Sequence, residues 1–222
     1  MTSAFKYAEQ KFSESLLMQG GVRIGTLHDF RKTEHKDGVS DALEGIKTIR
    51  HYVEKSTTRD VDSIHTRALT AFGAVNVGPN CEVTTTDCHF VREFNHPNMF
   101  VHCMSNVYSK KTADQFEGVD SCVEVTDLRA FYWHLTQALV AVAPVVRFLG
   151  VYKVKYMSRD QSWNGFDWDD SVNPALIKEF RFSEQSELRA CWWPSEGAVI
   201  EPVILKCKEL TEYCVSRPMP VY

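Results

Sequence analysis

Residues 181–194, RFSEQSELRACWWP, decide how this chain is read. From Glu187 onward the stretch turns apolar and closes on Pro194, the pattern of a short buried strand. Gln185 and Glu187 stand at its mouth, and residues two apart on a strand share a face. One reading is a loop whose Glu187 pairs with Arg189 or Arg181 before a core strand begins. The other is a Gln-x-Glu pair that presents an amide and a carboxylate to a ligand.

Working outward, further strands bracket this one. VRIGTL (22–27) follows a short helix over residues 8–18 and a Gly20-Gly21 turn. KTIRHYVE (47–54) reads as a strand, and GVSDALEG (38–45) before it as a turn or single helical turn. The alternating AFGAVNVGPNCEVTTTDCHFVREF (71–94) gives one or two strands, and MFVHCMSNVY (99–108) gives an apolar strand ending in small polar residues. CVEVTD (122–127) is a strand whose Thr126 or Asp127 can cap the next helix. That helix, LRAFYWHLTQALVAVA (128–143), puts Leu128, Phe131, Tyr132, Leu135, Leu139 and Val142 on one face. FLGVYKVKYM (148–157) alternates as a strand, residues 158–180 read as a loop or short helix, and AVIEPVILKCKEL (198–210) adds one or two strands. RPMPVY (217–222) reads as an edge or loose end. Strands outnumber helices, which implies an α+β fold with a largely antiparallel sheet, residues 1–222 forming one domain.

The bulk numbers narrow the function classes. The chain has 222 residues, 44% apolar and 24% charged, with a formal net charge of −4, so no global field draws it to nucleic acid or anionic lipid. The longest apolar run, ALVAVAPVV, is too short to span a bilayer, and the N-terminus lacks a signal peptide's apolar core, so a cytoplasmic location with no membrane partner is expected. Seven cysteines without a Cys-x-x-Cys pair suit a reducing compartment. Cys81, Cys88, His89 and His96 are zinc-ligand types, but their spacing matches no tight metal knuckle. There is no glycine-rich phosphate loop, nucleophile elbow or His-Glu-x-x-His motif.

What remains are polar residues at strand ends: Arg23 and His28 in RIGTLHDFR, Ser105 and Tyr108 in VHCMSNVYS, and Gln185 and Glu187. Singly each has an ordinary structural explanation. Together they form the kit for cleaving a ribosyl bond of a dinucleotide. A cation meets phosphate, a hydroxyl meets ribose, aromatics such as Tyr108, Trp192 and Trp193 form walls, and a carboxylate stabilises an oxocarbenium-like state.

In order and spacing the chain resembles ADP-ribosyltransferase-type domains, and more closely a group of largely uncharacterised bacterial proteins with that proposed fold. The resemblance rests on FKY near the start, LLMQGGVRIGTLHDFR, SDALEG, HCMSN, CVEVTD and ELRACW. It implies a split, mainly antiparallel sheet with a few packed helices, and NAD as substrate. Arg23 would contact the dinucleotide, Ser105 would stand in the central Ser-Thr-Ser-like motif (here Cys-Met-Ser), Glu187 would be the catalytic glutamate, and Gln185 would help choose the acceptor. A histidine–tyrosine variant would use His28 or His102 with Tyr108 around nicotinamide. The implied activity is that of a glycosyltransferase moving ADP-ribose from NAD to nucleic acid or protein, in the manner of bacterial toxins with an antitoxin partner or of phage-defence effectors. VYSKKT and FRKTEHK would supply a basic rim for a single strand. The alternatives are NAD hydrolysis and a non-catalytic binding module that uses WNGFDWDD and CWWP as its surface.

Overall fold

The computed structural model describes residues 3–32, 40–75, 78, 80–166 and 173–221. The expected strands and helices form, with additions. Chain order begins β1 (Ala4–Ala8), α1 (Gln10–Gln19), β2 (Gly21–Thr26), β3 (Ile46–Thr57), α2 (Ile64–Ala71), β4 (Thr84–Asn95) and β5 (Phe100–Ser105). It continues α3 (Lys110–Ala113), β6 (Ser121–Val125), α4 (Leu128–Val140), β7 (Val145–Lys153), β8 (Lys155–Tyr156), β9 (Asp160–Ser162) and β10 (Ile177–Lys178). A 3-10 segment, Phe180–Gln185, leads into β11 (Glu187–Pro194), and β12 (Val203–Lys206) and β13 (Cys214–Arg217) close the chain. Strands β1, β9, β10 and β13 and helices α2 and α3 were not foreseen.

Among the described residues the main sheet has eight strands, all paired antiparallel, in the order β12-β2-β5-β1-β6-β13, with β11 between β5 and β7. Strand β5 is where this sheet splits. Along one edge it pairs continuously with β11, from Phe100↔Trp192 to Ser105↔Glu187. Along the other it pairs first with β2, through Phe100↔Thr26 and Val101↔Gly25, and then with β1, through Ser105↔Phe5. Between those registers β1 and β2 part, each leading off into its own half of the sheet. A smaller sheet of β4-β3-β9 packs with α2, and β9 joins β3 in parallel, as β10 joins β8.

Parity along the strands separates the two faces. Phe100 and Met104 on β5, and Leu188, Ala190 and Trp192 on β11, point into the principal core with Phe131, Tyr132, Leu135 and Leu139 of α4. The indole Nε1 of Trp192 donates to Thr136 Oγ1 at 2.8 Å, so the largest core side chain leaves no polar atom unpaired. The odd-numbered residues of the same strands, Cys103, Ser105, Glu187 and Arg189, lie on the opposite face. Asp127, not Thr126, caps α4, accepting from the backbone N–H groups of Arg129 and Ala130. Val142 is 63% exposed because α4 ends at Val140, so the apolar stripe is shorter than its spacing suggested. Gly20 ends α1 at φ +64°, and a Cβ there would fall 1.6 Å from the carbonyl oxygen of Cys207. That position therefore demands glycine.

Candidate functional site

A cavity of about 690 Å³ opens where β1 and β2 diverge. Arg23, Ser105, Gln185 and Glu187, brought from three separate regions of the chain, all line it. Its apolar walls come from Phe5, Tyr7, Phe12, Phe30 and Phe116 rather than from the aromatics expected. Trp192 lies on the other face in the core, Trp193 packs edge-on to His96, and Tyr108 stacks near Phe5 while its hydroxyl donates to Pro218. His28 is also outside the cavity wall, its Nε2 2.9 Å from the carbonyl of His96. His102 does line the cavity, but burial pushes its pKa well below the ordinary value, and its ring pairs with the Tyr132 hydroxyl at 3.1 Å. It is a neutral ring of the wall, not a free acid or base.

Glu187 sits at the centre of a buried ion network. Its Oε1 receives Arg189 Nη2 at 2.8 Å and Nε at 2.9 Å, and its Oε2 receives Lys178 Nζ at 2.8 Å. Arg189 in turn meets Glu44 at 2.7 Å and donates to the carbonyl of Ala175. Glu44 and Arg189 are 1% exposed, Glu187 and Lys178 6%, so these charges are held out of water and must satisfy one another. Burial alone would raise the pKa of Glu187, but Arg189 and Lys178 outweigh it and hold the carboxyl far below the usual range. Glu187 is therefore an anion throughout the physiological range and suits electrostatic stabilisation better than proton abstraction.

The pairing of Glu187 with Arg189 is the one its strand parity allowed; Arg181 is exposed and meets Glu179 instead. Gln185 reaches the same place by a different route from the one expected. It does not share a strand face with Glu187, because it ends the 3-10 segment and Ser186 turns through the left-handed region at φ +46°. Lys178 joins the two: its Nζ donates to Gln185 Oε1 at 2.8 Å while pairing with Glu187. Ser105 stands directly across from Glu187 in the register, its Oγ accepting from the N–H of Val107 and donating to that residue's carbonyl, both at 3.1 Å. Arg23 is at the wall with its side chain 42% exposed and bound to buried Asp29 at 2.5 Å.

Lys6, Glu44, Lys178 and Arg189 were not foreseen as site residues. The SDALEG turn was noticed for its shape and as a motif of the resemblance, with no role given to its residues, yet it delivers Glu44 to Arg189 and Asp41 to Arg159 at 2.5 Å. Among the described residues, Arg31, Lys32, Lys110 and Lys111 of the expected basic rim do not line the cavity. Lys110 pairs with Asp114, Lys32 with Asp29, and residues 33–36 lie outside the described residues. Trp163 is buried beside Ile49 and Ala68, so WNGFDWDD offers Phe166 alone as an exposed aromatic among its described residues, 167–170 lying outside them. Four of the seven cysteines are buried, and burial pushes the thiols of Cys122, Cys191 and Cys214 up to about 12. Cys88, His89 and His96 do not converge: His89 stacks on Tyr52, and His96 pairs with the Pro97 carbonyl. Among the described residues no group of three or more ligating side chains is placed to hold a metal ion. Nor is any described helix long and apolar enough to cross a membrane. Comparisons with protein-family models, curated proteins and solved structures returned no match to this chain.

Proposed function

We propose that the split-sheet cavity binds NAD and that the protein transfers ADP-ribose from it to a macromolecular acceptor on an ADP-ribosyltransferase-like fold. One observation carries this reading: Arg23, Ser105, Gln185 and Glu187 line a single cavity large enough for a nucleotide-sized ligand. In the proposed reaction the bond between ribose C1′ and the nicotinamide nitrogen breaks, and nicotinamide leaves neutral with the bonding electrons. Glu187, permanently ionised, stabilises the positive charge developing on the ribose, and Ser105 across the register orients the sugar. Arg23 meets a phosphate, and Gln185 positions the acceptor, whose nucleophilic atom bonds to C1′ and gives its proton to solvent. Toxin or phage-defence activity, with an antitoxin partner, is the biological setting such chemistry suits.

A second reading is favoured by the state of Glu187 itself. Both carboxylate oxygens are already met by cations, as befits a binding module whose ion network only shapes the cavity. NAD labelled on its adenylate, incubated with the protein in cell lysate, separates the readings. Transfer predicts label in a protease- or nuclease-sensitive species, lost in Glu187→Gln but kept in Arg50→Gln, which breaks the exposed Arg50–Asp160 pair away from the cavity. Free ADP-ribose as sole product means hydrolysis, and intact NAD means binding alone.

A further inference from the structure

Five cations, Lys6, Lys11, Arg23, Lys178 and Arg189, line the cavity of a chain of net charge −4, and among the described residues all but one of them meet a carboxylate. Lys178 and Arg189 are matched to Glu187 and Glu44, Lys11 to Glu9 at 2.7 Å, and Arg23 to Asp29. Lys6 has no carboxylate within ion-pair distance among the described residues. Its Nζ donates to one group, the carbonyl oxygen of Cys103 at 2.8 Å, on the stretch of β5 that neither β1 nor β2 pairs.

An ammonium has three donors, so Lys6 keeps unspent hydrogen-bonding capacity in the cleft of the split. Burial pushes its pKa down, Glu187 and the Cys103 thiol pull it back up, and Arg23 lowers it further, which places a second cation in the same field. Unpaired charge in a partly buried wall is costly unless an anion completes it. We propose that Lys6, with Arg23 beside it, is the anion anchor of the cavity and takes the diphosphate of a nucleoside diphosphate or dinucleotide. Lys6 comes from β1 on one edge of β5 and Glu187 from β11 on the other, so a ligand that meets both crosses the opening of the sheet. This assignment deepens the NAD reading but does not need nicotinamide chemistry.

ADP and inorganic pyrophosphate, titrated calorimetrically into the full chain, are the probes, since neither carries nicotinamide. Both should bind the wild type, and Lys6→Met should weaken ADP roughly tenfold or more, the loss of one charge-assisted hydrogen bond. Equal ADP affinity in Lys6→Met, or no binding of either probe by the wild type, overturns the assignment. If Lys6→Met does not fold, reductive methylation of the wild type gives the answer. Pyrophosphate should protect Lys6 severalfold relative to exposed Lys110 and Lys111, and unchanged methylation of Lys6 at high pyrophosphate overturns the anchor. ADP binding through Lys6 without nicotinamide release from NAD would sink the transferase reading and leave the anchor standing. Nicotinamide release with unchanged affinity in Lys6→Met would do the reverse.

Discussion

Replacing Glu187 by Gln tests whether the floor of the cavity is held by charge. The amide keeps the side chain's shape and one acceptor, but Lys178 loses its carboxylate partner and Arg189 loses one of its two. Removing one partner of a buried ion pair costs about 3–5 kcal/mol, and the surviving acceptor and second carboxylate put this case near 3. For a chain of this size that lowers the melting temperature by roughly 6–12 °C at pH 7. The pH dependence gives the sharper check. Because the folded pKa of Glu187 is depressed, its stabilisation is complete above the unfolded value near 4.5 and is lost as pH falls toward the folded value. Glu187→Gln has nothing to titrate there. Urea denaturation of both proteins between pH 7 and pH 3 should show a gap that is constant down to about pH 5.5 and closes below it. A variant as stable as the wild type at pH 7, or a gap that persists unchanged to pH 3, refutes the reasoning.

Other parts of the fold give independent checks. His102 is buried neutral, so the unfolded chain takes a proton that the folded chain refuses as pH drops below 6.5; His102→Gln should flatten the loss of stability between pH 7 and pH 5, read by urea midpoints. Asp127→Ala should cost about 1 kcal/mol by removing the α4 cap, whereas Thr126→Ala stays within about 0.5 kcal/mol; thermal melts compare the two. Gly20→Ala should cost well over about 1 kcal/mol, since strain at positive φ adds to the clash with Cys207, and hydrogen exchange should rise first in α1 and β12.

Much of the architecture could be read from periodicity, and the failures have physical causes. Helix α4 carries a 3.6-residue apolar stripe, and strands β2, β5, β6 and β11 are short apolar runs bounded by polar or turn residues, so they stood out. Strand β1 did not, because FKYAEQKF runs into α1 with a single residue between the two elements. Helix α2 is eight residues in a polar neighbourhood and draws its stability from packing Ala68 against Ile49 and Trp163, a contact no local pattern announces. In the site, Glu187 and Ser105 were visible as strand-end polar groups. Trp192, expected as a wall, lies five positions from Glu187 and so on the opposite face of β11, in the core. Glu44 and Arg189, 145 positions apart, meet only through tertiary folding. Lys6 depends on the splitting of the sheet, which no run of residues encodes by itself.

The central claim is that NAD occupies the split of the sheet with its nicotinamide ribose against Glu187. A crystal structure with a non-hydrolysable NAD analogue tests it most directly. The account predicts density between β1 and β2, the nicotinamide-side ribose within hydrogen-bond distance of Glu187 and the diphosphate on Lys6 and Arg23. An empty cavity at saturating analogue, or the analogue bound elsewhere on the molecule, would contradict it.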